Sequence, residues 1–148
     1  MIYKLAILLA FTAGFFLLAK TSQAAETKKG LINGKLRLCP NSPNCVSSES
    51  AMISPIILTD TELKPAWEQL QKIIVKQGGE IQSQTDNYLA AKYTSAIFRF
   101  VDDVEARLDE ENNIIHLRSG SRVGYYDFGA NRRRVEKIIN AMHLFLHP

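Results

Sequence analysis

The chain has 148 residues, 46% of them hydrophobic and 22% charged, with a formal net charge of +3. The length sets an expectation of one domain, and this balance excludes a disordered polyelectrolyte. Two of the 18 basic residues, Lys4 and Lys20, belong to an N-terminal leader; without them 16 basic groups face 15 acidic ones. A domain so near neutrality has no general attraction for nucleic acid.

The leader comes first in chain order. Lys4 precedes an uncharged, mostly apolar run from Leu5 to Ala19, and Ser22-Gln23-Ala24 then places small residues at −3 and −1 of a cut after Ala24. This order reads as a secretory signal over residues 1–24. The alternative is an uncleaved anchor, for which the run is short, since a full span wants about 20 residues. Residues 25–38 are polar and basic and read as a flexible entry segment. A single domain over residues 39–148 follows.

That domain starts with Cys39-Pro-Asn-Ser-Pro-Asn-Cys45, inside a loop over residues 39–55 that is rich in proline and serine. Export brings the two cysteines into an oxidising compartment, and the turn-rich spacer brings them together, so they read as a structural disulfide. A redox or metal pair is the other reading. Five intervening residues are too many for a C-x-x-C site, and no further metal ligands stand nearby.

Helical periodicity marks a first helix through Leu63, Trp67, Leu70, Ile73 and Ile74, with Thr59 or Thr61 as cap, Pro65 in its first turn and Gly78-Gly79 at its end. Alternation then predicts strands at Glu80–Thr85, Tyr88–Ser95, Phe98–Leu108 and Ile114–Ser121. A second helix is predicted from about Asp127, as N-cap, to His147, with Val135, Ile138, Ile139, Met142, Phe145 and Leu146 on its apolar stripe. The expected fold is α+β: a four-stranded, mainly antiparallel sheet with two helices on one face, preceded by the Cys/Pro loop.

Charge is arranged in blocks. Residues 98–111 carry two basic and six acidic groups, and residues 118–137 six basic and two acidic. Asp102 and Asn131 occupy apolar phases of their elements, so both are expected to be tied by hydrogen bonds. The stretch Arg118 to Arg134 leaves a strand, passes through glycines and enters a helix, without the spacing of a phosphate-binding loop. Neither Ser119 nor Ser121 sits in a nucleophile elbow. His143 and His147 are four apart at a helix end, and no metal site is expected from them.

Three pieces, Cys39-Pro-Asn-Ser-Pro-Asn-Cys45-Val-Ser-Ser, Phe100-Val-Asp-Asp-Val-Glu105, and Arg118-Ser-Gly-Ser-Arg-Val-Gly124 followed by Asp127-Phe-Gly-Ala-Asn-Arg-Arg-Arg134, together resemble domain-of-unknown-function family 1499. The resemblance spans roughly residues 37–143. It implies an exported or envelope protein and supplies no activity. It marks a signature cluster of Asp102, Asp103, Arg118, Ser119, Ser121, Arg122, Asp127, Asn131, Arg132 and Arg134.

The expected function is therefore a non-enzymatic envelope module for ligand binding or assembly. Its partner would be a small anionic or amphipathic ligand or an envelope protein. No cofactor is expected, and contact with a membrane only through the N-terminal segment if that is retained. The ligand-binding form of this reading rests on an open sheet face bearing Tyr88, Lys92, Arg99, Arg107, His116 and Arg118. The alternative is a hydrolase of an envelope ester or phosphoester, using Ser119, Ser121, Asp102, Asp103 and Arg122.

Overall fold

Alternating strands and two amphipathic helices assemble as an α+β domain with an antiparallel sheet. The structure is a computed structural model that describes residues 14, 17, 20–22, 29–59 and 62–148. The elements are β1 (Cys45–Ser47), β2 (Ile56–Ile57), α1 (Leu63–Lys76), β3 (Glu80–Gln84), β4 (Tyr88–Thr94), β5 (Val101–Asp109), β6 (Ile114–Ser121) and α2 (Ala130–Leu146). The apolar run of the leader, apart from Gly14 and Leu17, lies outside the described residues, as do its cut site and Thr61.

The sheet has six strands in place of the four expected, in the order β1-β6-β5-β4-β3, with β2 also paired to β6. One of the two extra strands, β1, lies in the Cys/Pro loop and the other, β2, follows directly after it. They are three and two residues long, too short to show a period, and they exist because β6 offers them an edge: Cys45 pairs with Gly120 and Ile56 with Ile115. Helical residues also occur at Lys20–Ser22, outside the two helices read from periodicity. Ser22 is fully buried, and its Oγ accepts the Val101 N–H at 2.8 Å.

One sheet face carries the core. Leu89, Ala91 and Tyr93 of β4, Val104, Ala106 and Leu108 of β5, and Ile115 and Leu117 of β6 pack against Trp67, Leu70 and Ile74 of α1 and Val135, Ile138 and Met142 of α2. β5 begins at Val101, later than the alternation of Phe98 and Phe100 suggested. Arg99 sits at a left-handed φ of 58°, and Ser95 N–H donates to the Phe100 carbonyl, closing a turn between β4 and β5. α1 starts after Glu62 without a side-chain cap.

The other face is not open. Leu36 packs on Tyr88 and Ala90, and Arg37 reaches Glu105 at 2.9 Å. Tyr88 and Arg118, read as parts of an open face, are 3% and 7% exposed. Charged groups in that setting must be paired, and they are.

Candidate functional site

The signature separates into two networks on opposite faces of β5 and β6. Ser119, Ser121 and Asp102 point to the helix side, where they meet the first turns of α2. Asn131, 1% exposed, is the hub. Its Oδ1 accepts from Ser119 Oγ at 2.5 Å and from Arg134 Nη1 at 2.7 Å. Its Nδ2 lies within 3.0 Å of the Asn44 carbonyl, Ser121 Oγ and Asp127 Oδ2, two hydrogens shared among three acceptors. Arg134 then donates to Asp102 at 2.7 Å and stacks over the Tyr93 ring at 4.7 Å. Burial pushes the Tyr93 phenol up to about 12, against the pull of Arg134.

On the far side Glu105, 1% exposed, accepts from Arg37 at 2.9 Å, Arg118 at 3.0 Å and the Tyr88 hydroxyl at 2.7 Å. Burial lowers the Arg118 pKa, and Glu105 opposes that shift. Beside it Arg122 grips Asp103 through Nε, at 3.1 and 3.0 Å to the two carboxylate oxygens, and Nη2, at 2.8 Å. This multidentate geometry is what makes an Arg–carboxylate pair strong. Gly120 lies on the face of Arg118, opposite Asp103 of β5. A Cβ there would stand 3.0 Å from the Cys45 sulfur, so β6 carries glycine where the Cys39–Cys45 disulfide lies against it.

Both networks converge on the loop between β6 and α2. Asp127 accepts from the N–H groups of Gly129 at 2.9 Å and Asn131 at 2.8 Å, doing the work of a cap although the helix starts only at Ala130. Asn44 Nδ2 donates to the Gly124 carbonyl at 2.6 Å, and Arg133 Nη1 to the Phe128 carbonyl at 2.7 Å. The backbone so held projects Tyr125, Tyr126 and Phe128 into solvent, 71%, 60% and 80% exposed. The Tyr126 and Phe128 rings touch edge to face at 5.1 Å.

A family model described as "Protein of unknown function (DUF1499)" matches residues 35–142, nearly three quarters of the chain. The chain belongs to the DUF1499 family. Among curated proteins none matches it. The DUF1499 match contains both networks, the disulfide and the aromatic loop.

Of the cluster named from sequence, the structure gathers Asp102, Ser119, Ser121, Asp127, Asn131 and Arg134 around one hub. Asp103, Arg118 and Arg122 lie on the opposite face. Arg132 stands apart on the surface, donating to the Met52 carbonyl at 3.0 Å. Sequence reasoning missed Glu105 and Asn44. Glu105 was visible as a member of the polar phase of β5, but nothing local showed that Arg37 would cover it. Asn44 was hidden among the turn residues of the Cys/Pro loop.

Proposed function

We propose that this DUF1499 domain is a non-enzymatic module of the cell envelope, exported by its N-terminal segment, whose working surface is the loop Gly124–Gly129. The observation that carries this reading is the exposure of Tyr125, Tyr126 and Phe128 on a backbone pinned by buried polar groups. Phe128 holds a left-handed φ of 53°. That conformation costs an L-residue about 1–2 kcal/mol, and an aromatic ring so exposed returns no burial for it. Strain of this kind is retained where presentation to a partner needs it. The polar signature supports the same reading, because Ser119 is fully buried and its hydroxyl and the Asp102 carboxylate are both bonded within the hub.

The hydrolase alternative has one observation in its favour, away from the residues first considered for it. Ser48 Oγ lies 3.2 Å from His116 Nδ1. Burial, then the charge of Arg107, lowers the pKa of that histidine and favours the neutral base. The same Oγ accepts the Leu117 N–H at 2.9 Å, which fits a hydroxyl knitting the loop after β1 to β6.

Hydroxyl-radical footprinting of the full chain in intact envelopes and after purification tests the proposal. Tyr125, Tyr126 and Phe128 should be protected in the envelope, while exposed Leu144 at the other end of α2 labels equally in both. Equal labelling of the loop contradicts the proposal. So does an esterase or phosphoesterase activity abolished in Ser48→Ala.

A further inference from the structure

The proposed working surface is one part of a larger polarity. β4 and β5 run antiparallel with Thr94 opposite Val101, and β5 and β6 with Asp102 opposite Ser121. The β4–β5 turn and the β6–α2 loop therefore emerge at the same end of the sheet. Arg122 N–H donates to the Val101 carbonyl at 3.1 Å across that end. It exposes Ile97 and Phe98 from one loop and Tyr125, Tyr126 and Phe128 from the other.

Its charge is basic. The two connections and the first two turns of α2 carry Arg99, Arg122, Arg132, Arg133, Arg134 and Lys137 against two carboxylates, Asp127 and Glu136. Arg122 and Arg134 are engaged by Asp103 and Asp102, whereas Arg132 and Arg133 extend from the exposed side of α2, where they donate to the Met52 and Phe128 carbonyls and Arg132 lies 3.9 Å from Glu136. The opposite end carries Asp86, Glu110 and Glu111 in the β3–β4 and β5–β6 turns and Asp109 at the end of β5, bonded to Arg107 at 3.3 Å, with Lys64 of α1 lining a hollow beside Asp86 and Glu110. A hollow of about 350 Å³ beside the loop is lined by Gln77, Tyr93, Ala130, Arg133, Arg134 and Lys137, the right chemistry for a phosphate headgroup.

We infer that this end docks on an anionic lipid bilayer, with Tyr125, Tyr126 and Phe128 in the interfacial layer, Arg132 and Arg133 at the phosphates, and the acidic end facing away. Amphipathic rings settle at headgroup depth, and basic residues beside them are drawn to anionic lipid. The inference rests on the loop being the working surface and names its partner.

The test uses the full chain in phosphatidylcholine vesicles with and without phosphatidylglycerol, and Phe128→Trp as probe. The buried Trp67 is common to all variants and is subtracted. In the anionic vesicles the new tryptophan should shift to the blue and be quenched by lipids brominated near the headgroup. Tryptophan at Glu110, on the acidic end, should stay at the emission of water and unquenched. Adding Arg132→Glu and Arg133→Glu should return the Phe128→Trp signal to that of water. Tyr126→Trp serves as the probe if Phe128→Trp lowers the urea midpoint. No quenching at either position, or equal quenching at both ends, overturns the inference. If the envelope footprint of the loop stands while the vesicles give no quenching, the partner is a protein and only the lipid assignment falls.

Discussion

Asn131 shows what a buried amide does in an apolar stripe. It holds Ser119, Ser121, Asp127, Arg134 and the Asn44 carbonyl together, so Asn131→Leu adds an apolar group and removes a side-chain bond from each of five partners. Urea unfolding should show a loss of about 1–3 kcal/mol. Arg133→Ala, which removes only an exposed bond to the Phe128 carbonyl, should stay within roughly 0.5 kcal/mol. Glu105→Gln takes the carboxylate from Arg37 and Arg118 in a buried site and should cost roughly 3–5 kcal/mol. His116 titrates below its ordinary 6.5, so over the interval beneath that value the unfolded chain binds more protons than the folded one. Its contribution is therefore complete above that value and is lost as the pH falls below it. The urea midpoint of wild type should drop on going from neutral pH into that interval by more than that of His116→Gln. The polar hub could be read from sequence because Asn131 and Asp102 break apolar phases. The role of Glu105 could not, because a strand residue in the polar phase looks the same whether water or two arginines face it.

Among the elements, the long ones announced themselves and the short ones did not. α1 and strands β4 to β6 have enough residues for a period to show, whereas β1 and β2 exist only as partners of β6. The start of α2 was misplaced for a related reason. Asp127 bonds the first free N–H groups as a cap does, but Phe128 and Gly129 both hold left-handed φ before the helix begins. Such a geometry lets the loop project its aromatic rings. The closeness of β1 to β6 gives two expectations. Gly120→Ala forces a methyl against the Cys45 sulfur and backbone-adjacent Cβ and should destabilise by about 1–3 kcal/mol. Reduction of the Cys39–Cys45 bond, a six-residue separation, should cost about 2 kcal/mol on chain-entropy grounds. Guanidinium unfolding with and without reductant measures the second.

At the scale of the whole molecule, one end is aromatic and basic and the other acidic, with the sheet and its two polar networks between them. The Asn131 hub keeps the loop Gly124–Gly129 rigid, and the loop's aromatic side chains do not hold the fold. Hydrogen–deuterium exchange across residues 122–131 separates these roles in one measurement. Asn131→Leu should speed exchange at Gly129 and at residue 131, whose N–H groups bond to Asp127, while β4 and β5 stay protected. Replacing Tyr125, Tyr126 and Phe128 with serine together should leave the loop's exchange as in wild type. If Asn131→Leu leaves the loop's protection unchanged, or the triple variant loses it, the polar hub is not what presents the loop.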